Sequence, residues 1–330
     1  MTEEMKNRYR YCGHLGQLFG WQSLTLDEGP ARGARLIRVW TEGGAEFDLW
    51  PDNGLDIGAF RFRGLGCCYL TKNGFTSPYR QLNLAGEFDH SFSGGMLYTC
   101  GLMNVGPDCL EGETFHALHG RYHGLSCEQF SARVEGEAMV FEGVLRESVQ
   151  WGHNLQVHRR ITVPIGGAGF RVDDEVVNCT SDAAQIMMLY HVNFGHPFLT
   201  PETSIQWPPH QVTPRTPWAK EHLATQASFE APQAGIEERV YFNEAFERAE
   251  VKVSSPSVGV SAQLRWSQET LPRLSQWKTT REGEYCLALE PSTCFTAGRA
   301  VERAQGTLVT LEGFGRRHHW VELEFGEVKG

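Results

Sequence analysis

Two neighbouring stretches, LQVHRRITVP (155–164) and FRVDDEVVN (170–178), change between apolar and polar residues with a period of two. In the first, Val157, Ile161 and Val163 lie on one side of an extended chain, with the basic pair Arg159–Arg160 between them. Period two is the spacing of a half-buried β-strand, whose successive side chains point to opposite faces. The same character returns in IMMLYHVNF, AEVKVSSP, VGVSAQLRWS, YCLALEP, GTLVTLEG and HHWVELEFGEV. Thirty-six glycines and fifteen prolines separate these runs, as turn residues do. Helical periodicity is scarce. Residues 218–230 could form a turn or two, but they sit in a proline-rich excursion between strands. No repeat of 20–50 residues stands out, which argues against a propeller or a solenoid. The expectation is an all-β protein, a large antiparallel β-sandwich with long loops, forming one domain over residues 1–330.

A formal charge of −10 and the lack of a basic patch argue against nucleic acid as a partner. No apolar run is long enough to span a membrane, and the opening residues do not read as a signal peptide. Nine scattered cysteines without a C-x-x-C pair suit reduced thiols in a cytoplasmic protein. Neither a phosphate loop nor a G-x-S-x-G elbow occurs.

Three segments could carry chemistry. FHALHGRYHG (115–124) holds His116, His119 and His123, but Gly120 and Gly124 favour a loop over a metal-binding helix. In LYHVNFGHP (189–197), strand alternation puts His191 and Asn193 on one face and Tyr190, Val192 and Phe194 on the other. In YCLALEP (285–291), Glu290 ends an apolar strand beside the small residues Cys286 and Ala288, where burial would raise its pKa. Upstream, Gln276, Trp277 and Lys278 combine groups that suit a sugar.

These segments, with LWPDNGLDIGAFRFRG (49–64), GGMLYTCGLMNVGPDC (94–109) and LSQWKTTREGEYCLALEPSTC (274–294), together resemble the aldose 1-epimerase (galactose mutarotase-like) superfamily. The closer likeness is to its bacterial branch known as domain of unknown function 4432. The resemblance implies a β-supersandwich and a cofactor-independent mutarotase, which interconverts the anomers of a monosaccharide with one acid and one base set on opposite sides of the anomeric centre. It makes Glu290 the base, His191 the acid and His119 a second histidine that binds substrate. It also asks for an arginine, for which Arg61, Arg63 and Arg80 are candidates and Arg80 is favoured. Asp56, Gln276 and Lys278 are further sugar-binding candidates. Asn193 stands where better-known mutarotases carry an aromatic residue, so it is expected to contact the sugar. No metal or other cofactor is implied. Two alternatives stay open: a non-catalytic carbohydrate-binding protein on the same fold, and a metal-dependent sugar isomerase built on His116, His119 and His123.

Overall fold

In the computed structural model, which describes residues 2–78 and 84–328, the period-two pattern becomes a burial pattern. Along the strand Asn154–Pro164, Leu155, Val157, Ile161 and Val163 are fully buried, and the residues between them are more exposed. Arg159 shares their face and is itself only 1% exposed. A buried guanidinium needs partners, and it has them. It bonds Asp174 on the neighbouring strand Gly169–Asn178 at 2.9 and 2.8 Å, then reaches across the core to Asp56 at 2.6 Å and Thr99 at 3.0 Å.

That link joins two packed sheets. Among the described residues, twelve strands form the larger sheet and eight the smaller, and every pairing between named strands is antiparallel. Apolar side chains from both inner faces make one core, in which Phe60 of the larger sheet stacks on Phe325 of the smaller, ring centroids 4.7 Å apart. Burial at roughly 25 cal/mol per Å² of apolar surface is the main force holding such layers together. The expected all-β sandwich is therefore the observed fold. The proline-rich excursion that includes 218–230 contains the short helix Pro217–Glu221, capped by Thr216, and a further turn at Leu223–Thr225. None of the nine cysteines is in a disulfide. Among the described residues no helix is long and apolar enough to cross a membrane.

Four strands at the centre of the larger sheet position the site: Leu97–Leu102, Ala184–Gly195, Glu284–Ser292 and Arg273–Arg281, adjacent in that order. Val192 pairs with Leu289 and Leu189 with Ser292, which sets His191 directly opposite Glu290. Tyr190, Val192 and Phe194 enter the inter-sheet core. His191 points to the opposite face, where a smaller apolar cluster includes Phe92, Tyr98 and Leu189.

Candidate active site

On that outer face lies a cavity of about 420 Å³, walled by Phe88, Phe92, His119, His191, Arg215, Glu238, Trp277 and Glu290 among others. The size and the mix of aromatic walls with a few converging polar groups are typical of small-molecule sites. At its base His191 Nε2 is 3.3 Å from Glu290 Oε1. Both side chains are nearly fully buried. Burial pushes the Glu290 carboxyl well above the usual carboxylate range; Glu238 adds to that rise and Arg215 opposes it. Burial likewise pushes the His191 imidazole down, helped by His119 and opposed by the Asn193 hydrogen bond. Both shifts favour neutral forms, so the pair holds one proton between a carboxyl and a ring nitrogen.

His119 reaches the cavity from a loop, its ring centroid 6.3 Å from that of His191. Its backbone is left-handed, φ +60°, and Gly120 follows at φ +75°. A Cβ on Gly120 would lie 2.3 Å from the Gly101 carbonyl oxygen, so only glycine lets the loop pass so close. The Gly106 N–H donates to His119 Nδ1 at 3.4 Å, which leaves Nε2 to carry the hydrogen. Burial, reinforced by Arg215, lowers this imidazole to about 4, so it meets a ligand as a neutral donor. Trp277 stands edge-on to His191 at 5.7 Å between centroids and donates its indole N–H to Glu238 at 2.6 Å.

Residues 31–325 match the family called domain of unknown function 4432. The chain belongs to that family. No curated protein matches the chain. Among solved structures, a Klebsiella pneumoniae protein provisionally named an aldose 1-epimerase superimposes with a TM-score of 0.84 at 18% identity, over 94% of this chain and 88% of that one. A galactose mutarotase-like protein of Clostridium acetobutylicum gives 0.65 at 13% identity, over 94% and 100%. The galactose 1-epimerase of Lactobacillus acidophilus gives 0.62 at 12%, over 94% and 99%. At these identities the likeness is one of fold.

This member of the family brings Glu290, His191 and His119 together around one cavity. Glu290 and His191 sit side by side, in contact, rather than apart on opposite sides. The other sugar-binding candidates lie elsewhere. Asn193 is fully buried beneath His191, outside the cavity wall, and bonds the imidazole. Gln276 and Lys278 flank Trp277 on its strand, so alternation turns both toward the inter-sheet side. There Gln276 bonds the Gln226 carbonyl at 2.9 Å, and Lys278 bonds the carbonyls of Thr225 and Ser228. Asp56 belongs to the Arg159 network. Arg61 and Arg63 are exposed and away from the cavity, and Arg63 pairs with Glu327. Arg80 falls outside the described residues.

The cation that does face the cavity is Arg215, whose guanidinium has no hydrogen-bond or ion-pair partner among the described residues. It follows the short strand Gln211–Pro214, inside the segment that reads in sequence as a mere excursion. Long excursions are where binding residues concentrate, and that was the available signal. The three histidines of 115–124 do not converge. His116 lies 3.6 Å from Glu111, and His123 stacks on Tyr98 at 4.9 Å. Among the described residues no group of three or more His, Cys, Asp or Glu side chains is arranged to hold a metal ion.

Proposed function

We propose that this chain is a cofactor-independent aldose 1-epimerase, which interconverts the α and β anomers of a free monosaccharide by general acid–base catalysis. The observation that carries this reading is the contact between His191 Nε2 and Glu290 Oε1 at the base of a cavity large enough for a sugar. Simple binding has no use for a desolvated acid–base pair, whose burial is costly. Mutarotation needs one. The anomeric hydroxyl must lose a proton while the ring oxygen gains one, and both oxygens are bonded to the same carbon. A carboxyl and an imidazole in contact can therefore address both at once.

In ring opening, one member of the pair takes the proton of the anomeric hydroxyl and the other delivers its proton to the ring oxygen. The C1–O5 bond breaks and an aldehyde forms. Rotation about C1–C2 presents the other face, and the reverse transfers close the ring. Each full cycle returns the pair to its starting proton count. His119, a neutral Nε2–H donor, is suited to hold a sugar oxygen, and Trp277 and Phe92 offer ring faces or edges for the sugar's C–H groups.

The test is a panel of freshly dissolved single anomers (neutral, deoxy, amino and uronic sugars) followed by polarimetry or exchange NMR. Enzyme-dependent acceleration on at least one is expected. Binding without acceleration on every sugar that binds would favour the carbohydrate-binding alternative.

A further inference from the structure

We propose that Asn193 is a positioning residue that holds neutral His191 with its hydrogen on Nδ1, making Nε2 the nitrogen that exchanges a proton with Glu290 and the sugar. The consequence for catalysis rests on the acid–base reading above; the positioning itself does not.

Two backbone carbonyls fix the Asn193 amide. Asn193 Nδ2 lies 3.0 Å from the Gly95 oxygen and 2.9 Å from the His191 oxygen. Carbonyl oxygens only accept, so the atom facing both must be the NH₂ and the amide orientation is fixed. Its Oδ1, an acceptor, lies 2.5 Å from His191 Nδ1. Two acceptors at that distance would repel, so Nδ1 must carry a hydrogen. In a neutral imidazole the other nitrogen then offers a lone pair, and that nitrogen is the one 3.3 Å from Glu290.

The amide itself has little freedom. Asn193 is fully buried, and its backbone N–H donates to the Met96 carbonyl at 3.1 Å. Gly95, which supplies one of the fixing carbonyls, has φ +96°, and a Cβ there would lie 2.9 Å from the Ile57 carbonyl oxygen. A side chain at 95 would thus disturb the carbonyl that orients the amide. The chain of constraint runs from Gly95 through Asn193 to His191 and ends at the proton shared with Glu290. Removing its middle link leaves Nδ1 in an apolar setting without an acceptor. The ring hydrogen then favours Nε2, where it can bond Glu290 but cannot accept a proton.

The test combines a spectroscopic and a kinetic readout. With ¹⁵N-labelled histidine, long-range ¹H–¹⁵N correlations report which ring nitrogen is protonated, and His191→Asn identifies the His191 signals. Over a pH series that reaches the neutral ring, wild type is expected to carry its hydrogen on Nδ1; a hydrogen on Nε2 overturns the proposal. In Asn193→Leu, close in size but without an acceptor, the hydrogen is expected to move toward Nε2. On any sugar that the anomer panel identifies, kcat is expected to fall about 100-fold with KM within about threefold, as for a misplaced tautomer. An unchanged tautomer in that variant also overturns the proposal. Should Asn193→Leu fail to fold, the wild-type spectrum decides alone. An Nδ1–H tautomer in an enzyme inactive on every sugar would uphold the positioning and remove the mutarotase reading.

Discussion

Glu290 and His191 face each other from adjacent antiparallel strands, Oε1 3.3 Å from Nε2, and among the described residues the Glu290 carboxyl has no other side-chain partner. A carboxyl so placed is spared for chemistry. Glu290→Gln keeps its shape and buried volume while removing the exchangeable proton, and His191→Asn removes the partner. Each is expected to lower kcat by about 10²- to 10⁴-fold with little change in KM. Glu290→Gln should not lower the melting temperature, because the lost group was desolvated and costly, whereas His191→Asn leaves the buried Asn193 Oδ1 without its partner and should lower it modestly. Parallel kinetics and thermal melts check both halves, and near wild-type rates in either variant would remove that residue from the mechanism.

The pair's shared proton also shapes the pH profile. His191 is lowered by burial, so a second proton joins the pair only well below the ordinary imidazole value of about 6.5. Glu290 is raised by burial, so the last proton leaves only well above the ordinary carboxyl value of about 4.3. Activity in kcat/KM is therefore expected to fall at low pH, where the pair takes a second proton, and at high pH, where it loses its last, with limits that belong to the pair. An acid-side limb near 6.5 would place His191 in an ordinary, solvated environment.

Arg159 is a charged bridge through the sandwich core, with Asp174 on its own sheet and Asp56 on the other. Tyr190, the neighbour of catalytic candidate His191, donates to the same Asp174 at 2.7 Å. Removing the cation strands two buried carboxylates. Arg159→Met is expected to cost about 3–5 kcal/mol of stability, read by urea unfolding. The double change that also makes Asp174 apolar should recover part of that loss.

How much of this was legible in the sequence follows from what period two can and cannot say. It separated Tyr190, Val192 and Phe194 from His191 and Asn193, and the structure divides them in that way. The same rule applied to Gln276–Trp277–Lys278 would have kept Trp277 and rejected its neighbours, because three consecutive strand residues cannot share a face. Alternation gives the face but not the depth, so Asn193 looked like a ligand contact when it lies under His191. Arg215 was hidden for a different reason: it sits in a loop, and loop placement depends on tertiary contacts that no local pattern records.

His319, in the strand Arg316–Glu327, pairs in register with Asp174 and is fully buried, and neither of its ring nitrogens has a hydrogen-bond partner among the described residues. An unmatched buried donor costs about 1–3 kcal/mol. Burial, with Arg317 adding to it and Asp174 opposing, lowers this imidazole to about 3. The unfolded chain binds a proton there below about 6.5, which the folded chain refuses until about 3. Stability is therefore lost as pH falls through that window, by up to about 1.4 kcal/mol per pH unit from this residue. His319→Leu removes both effects: it is expected to leave stability at pH 7 equal or higher and to make the decline toward pH 4.5 shallower than in wild type. Urea unfolding of both proteins at the two pH values measures the difference, and an equally steep decline in the variant would mean that His319 accepts its proton in the folded state.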